Sequence, residues 1–107
     1  MKKISEACYE IGKTCVDGFV AVSENKLAEK IIKLYSMGYI CEPSGALGVA
    51  GLDKMREEIK GKTVVCVLTG SNMDLTKLEE AREMNVISKG YKNYYIIEVP
   101  NKKNAMY

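Results

Sequence analysis

Val64-Val-Cys-Val-Leu-Thr-Gly-Ser-Asn72 decides the reading of this chain. Five apolar residues with no polar alternation are the pattern of a strand covered on both faces, as in the centre of a parallel sheet. The run breaks at Thr69-Gly-Ser-Asn72. A helical pattern follows, with Leu75, Leu78 and Ala81 on one face and Glu79, Glu80 and Arg82 on the other. In open α/β sheets ligands bind beyond the carboxyl ends of strands, so the 69–72 loop is a candidate site.

Working outward, the same alternation recurs. Ile4, Cys8, Ile11 and Cys15 predict a first helix, with Gly12 near its stop. Gly18-Phe-Val-Ala-Val-Ser23 reads as a buried strand. Ser23 offers an N-cap to an amphipathic helix built on Leu27, Ile31 and Leu34, which ends near Met37-Gly38. Tyr39-Ile-Cys41 is a short strand candidate, and Pro43 suits a first helical position. Gly45, Gly48 and Gly51 each cost the helix that follows ~1 kcal/mol relative to alanine, so something must approach it closely. From Asp53 to Ile59 the helix turns charged and runs out to solvent, and Tyr94-Tyr-Ile-Ile-Glu-Val99 reads as a last strand. The expected fold is α/β, a three-layer piece with short parallel strands alternating with helices.

Composition removes several function classes. The 107 residues are 47% hydrophobic and 28% charged, with net charge +2, as expected of one soluble globular domain. Lys and Arg occur at most in pairs, which argues against nucleic acid or a membrane surface as partner. The absence of histidine removes Ser-His-Asp triads, Cys-His pairs and His-ligated metals from this chain, and the reading assigns no metal ligands. Cys8, Cys15, Cys41 and Cys66 have no C-x-x-C spacing, and no signal peptide follows Met1. Free thiols and a cytoplasmic location are expected. Gly45, Gly48 and Gly51 are not a dinucleotide fingerprint, and Gly61-Lys-Thr63 is not a P-loop.

Glu42-Pro-Ser-Gly-Ala-Leu, Lys60-Gly-Lys-Thr-Val-Val-Cys-Val and Thr69-Gly-Ser-Asn-x-Asp74 occur in that order. Together they resemble the C-terminal part of threonine dehydratases, pyridoxal-phosphate (PLP) lyases of fold type II. Thr14-Cys-Val-Asp-Gly-Phe-Val-Ala-Val-Ser-Glu24 is similar to the segment before the last catalytic-domain helices. Lys89-Gly-Tyr-Lys-Asn-Tyr-Tyr-Ile-Ile-Glu-Val-Pro100 resembles the first regulatory-domain strand. The resemblance implies that residues 1–88 belong to a PLP-dependent catalytic domain. Residues 89–107 would be a linker and the first strand of a truncated regulatory domain.

The resemblance also implies roles. Thr69 would hydrogen-bond the pyridine nitrogen of PLP, and Gly70, Ser71 and Asn72 would shape that wall. Glu42 would lie near the ring edge, although a carboxylate at a helix start is equally explained by the helix dipole. A hydroxyl carries no charge, so the ring nitrogen stays largely unprotonated and the ring is a weaker electron sink, suited to β-elimination of water. The family's lysine segment, Ser-Phe-Lys-x-Arg-Gly-like, and its run of consecutive glycines for the phosphate are not in these 107 residues. Lys13, Lys60 and Lys62 lack such flanks. No catalytic residue is therefore assigned. The reading is a piece related to the enzyme that converts L-threonine to 2-oxobutanoate and ammonia, inactive and without bound PLP by itself. The alternatives are half of a split enzyme, or a standalone interaction or small-ligand module. Expected partners are a complementing catalytic chain or a second copy, through the small-residue helix 44–52 and the strand 94–99.

Overall fold

The computed structural model describes residues 4–102. Within them five helices follow one another: α1 (Glu6–Cys15), α2 (Glu24–Ser36), α3 (Pro43–Gly51), α4 (Arg56–Ile59) and α5 (Leu75–Ser88). Local chemistry sets their starts. Ser5 Oγ accepts from Cys8 N–H at 3.3 Å, and Ser23 Oγ accepts from Lys26 N–H at 3.4 Å. Asp74 Oδ1 accepts from Lys77 N–H at 2.8 Å, the shortest of these caps. Pro43 opens α3, as its missing N–H allows. The helix beginning there ends at Gly51. It does not run on through Asp53: a turn intervenes before the four-residue α4.

The core lies where α2 packs on α3 and α5. Ala28, Ile31 and Leu34 of α2 meet Ala46 of α3, Ala81 of α5 and Cys41, with Leu27, Ile32, Val49, Met73, Leu78 and Met84 around them. Ile31 and Leu34 are the largest side chains in the buried set, so the core is small. Burial also pushes the Cys41 thiol pKa up.

The expected three-layer α/β architecture is overturned: the described residues contain no strand and no sheet. Backbone pairing is non-local, and none of the segments 18–23, 39–41, 64–68 and 94–99 lies in a ladder with another. Outside the helices the backbone hydrogen bonds lie in turns and caps, with one long-range exception, described below. The apolar side chains accordingly stay in solvent. Phe19 is 79% exposed, Val65 84% and Ile96 102%. The segment 64–68 does keep a period of two. Val65 and Val67 point outward, while Cys66 is half-buried. Cys66 Cβ lies 3.8 Å from where a β-carbon on Gly48 would sit, so the inward face lies on α3. These uncovered segments leave the molecule extended. Its radius of gyration is 19.4 Å, against about 13 Å for a compact domain of ~100 residues.

An ion cluster joins α2 to the turn after α3. Lys26 and Lys30 each place Nζ 3.0 Å from Asp53 Oδ2, and Lys26 also reaches Glu29 at 3.1 Å. Hydrogen bonds from Lys26 and then Lys30 hold the Asp53 carboxyl well below its usual value, at about 2. The sign follows from linkage. A group with a depressed folded pKa stabilises the fold above its unfolded value, near 3.8, and that contribution disappears as pH falls through about 2. Denaturation measured between pH 5 and pH 2 should show stability falling, and Asp53→Asn should flatten the slope. An unchanged slope in Asp53→Asn would mean the cluster contributes nothing.

Candidate functional site

The Glu42 loop and the 69–72 loop, far apart in sequence, meet in the structure. Glu42 N–H donates to Gly70 O at 2.6 Å, the single long-range backbone hydrogen bond among the described residues. On the same side, Ser44 Oγ donates to Glu42 Oε1 at 2.7 Å. Glu42 stands at the N-cap position of α3 but makes no side-chain cap. Its carboxylate is turned toward Gly70 instead. A β-carbon built on Gly70 would collide with Glu42 Cγ and Cδ and lie 2.7 Å from Oε1. Gly70 also has φ +71°, a conformation that side-chain-bearing residues rarely adopt.

Gly45 makes the second close approach. A β-carbon there would overlap the Thr69 carbonyl oxygen and lie 2.9 Å from Thr69 Oγ1. The Thr69 backbone is thus seated directly on α3, in space left by a hydrogen. This accounts for a glycine inside the helix, where its propensity cost is ~1 kcal/mol. Gly45, Ala46, Ala50 and Gly51 are all buried. Their burial is met by contacts within the chain. Gly45 and Ser44 escape a site reading made from sequence alone. Both lie within the Glu42-Pro-Ser-Gly-Ala-Leu motif, which gives neither an individual role, and Gly45 is marked further by its cost to the helix.

Of the sequence-predicted site residues, Glu42, Thr69 and Gly70 are brought together. Ser71 and Asn72 follow on the same loop and are exposed, as is Thr69. Asp74 then caps α5, so the loop is held at both ends: by Glu42 and Gly45 on one side and by the start of α5 on the other. Chemically this is an exposed junction of two loops. It presents a neutral hydroxyl at Thr69, a glycine surface at Gly70 and a carboxylate at Glu42. A neutral hydroxyl can hydrogen-bond a basic ring nitrogen without placing a charge beside it. No anion cradle and no lysine stand in the Glu42–Gly70 junction. The residues present fit one edge of PLP and not its phosphate or its aldehyde.

Comparison with known proteins covers both loops. The family model described as pyridoxal-phosphate dependent enzyme matches residues 2–70. The chain is 40% identical over 107 residues to the biosynthetic L-threonine dehydratase IlvA of Halalkalibacterium halodurans, covering 99% of this chain and 26% of that protein. It is 38% identical to the enzyme of the same name from Bacillus subtilis, over 99% of this chain and 25% of the relative. It is 36% identical to that of Staphylococcus saprophyticus, over 97% and 25%. The chain thus spans about a quarter of the length of these relatives. No solved structure matches it. With the family model running through α1, α2, α3 and up to Gly70, the chain belongs to the pyridoxal-phosphate dependent enzyme family.

Proposed function

We propose that this chain supplies the pyridine-side wall of the cofactor site in a threonine-dehydratase-like lyase, and that these 107 residues alone neither hold PLP tightly nor turn over threonine. One observation carries the reading: the Glu42 N–H to Gly70 O bridge, which fixes the Thr69 loop against the N-terminus of α3. The relatives that match along the whole chain are named for threonine dehydration. When bound, PLP supplies the electron sink for β-elimination of water from a β-hydroxy amino acid. Thr69 Oγ1 would hold the ring nitrogen through a hydrogen bond without placing a charge beside it. Gly70, Ser71 and Asn72 would line the ring's edge. Glu42, pinned by Ser44, would fix the loop that carries Thr69.

Magnitudes explain why the wall alone is insufficient. One hydrogen bond contributes ~1 kcal/mol net, whereas even a millimolar complex needs about 4 kcal/mol. A Schiff-base lysine in its Ser-Phe-Lys-like segment and a glycine run for the phosphate supply the difference in this family, and neither motif occurs in the sequence given. PLP titrated into the chain, followed by absorbance, should give only a shallow, non-saturating change shared by Thr69→Val. Saturable micromolar binding that Thr69→Val abolishes would overturn the claim that the wall cannot hold the cofactor alone.

A further inference from the structure

The segment after α5 is tied back by one carboxylate. Tyr91 N–H donates to Val86 O at 2.9 Å and Gly90 N–H to Ile87 O at 2.9 Å, with Gly90 at φ +73°. This turn closes the helix and reverses the chain. Lys92 Nζ then lies 2.6 Å from Glu83 Oε1, and Tyr94 Oη donates to the same oxygen. The Lys92 ammonium also sits 4.8 Å from the centre of the Tyr94 ring. The residues beyond have little else to hold them: Tyr95 is 81% exposed and Ile97 77%. Hydrogen bonds from Lys92 and then Tyr94 lower the Glu83 pKa, consistent with a charged acceptor serving both donors.

We infer that Glu83 is a latch that sets the direction in which the apolar strip 94–99 leaves α5. Closed, it lays residues 92–94 back along the helix. Opened, it frees the strip while α5 stays in place. Because α5 begins three residues after Asn72, the latch and the Thr69 loop sit at opposite ends of one rigid element, about 20 Å apart for 14 residues. The device stands on contacts within this chain and is independent of the cofactor reading.

Limited chymotrypsin cleavage after Tyr94 and Tyr95 tests it. Glu83→Gln keeps the shape and removes the charge, and cleavage should run about threefold faster, the size expected for losing an exposed charge-assisted tie. Tyr94→Phe leaves a cleavable ring, removes only the hydroxyl, and should give a smaller increase. Glu79→Gln, one turn away, should cleave at the wild-type rate. Circular dichroism of each variant should match wild type. If Glu83→Gln loses helix, Lys92→Met carries the same expectation. Equal rates for Glu83→Gln and wild type, or equal acceleration by Glu79→Gln, would overturn the latch.

Discussion

Gly45→Ala should destabilise the chain by ~1–2 kcal/mol, while Gly48→Ala, one turn later in the same helix, should stabilise it by up to ~1 kcal/mol. Alanine improves helix propensity equally at both positions. The difference is what the new methyl meets. At Gly45 it meets the Thr69 carbonyl, which is backbone and cannot rotate away. At Gly48 the nearest atoms are Cys66 Cβ and Sγ at 3.8 and 3.9 Å, an ordinary contact. Overpacking costs ~1–3 kcal/mol and exceeds the propensity gain at the first site only. The Gly45 variant should also push the Thr69 loop off α3 and break the Glu42–Gly70 bridge, visible as loss of protection of the Glu42 amide in hydrogen exchange. Two variants with the same sign would mean that the loop is not seated on the helix.

Ile31→Ala should cost ~2–4 kcal/mol, a large fraction of the ~5–15 kcal/mol usual for a folded domain. Ile31 is 4% exposed and is one of two large side chains in a core otherwise made of alanines and Cys41. It also lines an open apolar groove between α2 and α5, of volume ≈ 370 Å³. Water can enter there, which places the expected cost toward the lower end. The matched change Ile96→Ala removes the same atoms from a side chain that is 102% exposed. It should stay within ~0.5 kcal/mol of wild type in denaturant melts. Equal losses at the two positions would contradict the core described here.

These two pairs mark what the sequence makes legible. Helix starts are local: Ser23, Pro43 and Asp74 act within a few residues, and their helices begin where the pattern predicts. Strands are not local. Val64–Leu68 has the composition of a covered strand, but composition specifies no partner, and the described residues provide none. The three glycines of α3 announce a close approach without saying by what. It is Thr69 at Gly45, whereas Cys66 at Gly48 and Val20 at Gly51 stand at ordinary contact distance. The Asp53 cluster and the Glu83 latch both join residues whose pairing leaves no periodic trace. The motifs single out Glu42 and Thr69, and the Glu42 N–H to Gly70 O hydrogen bond brings their two loops together.

The most direct test is 2-oxobutanoate release from L-threonine in the presence of PLP, against a PLP blank without protein. This chain alone should match the blank. Mixed with the portion of the Bacillus subtilis relative that lies outside the matched region, it should raise the rate well above the blank. The Thr69→Val chain should not. A rate above the blank from this chain alone, no restoration in the mixture, or equal restoration by Thr69→Val would contradict the account.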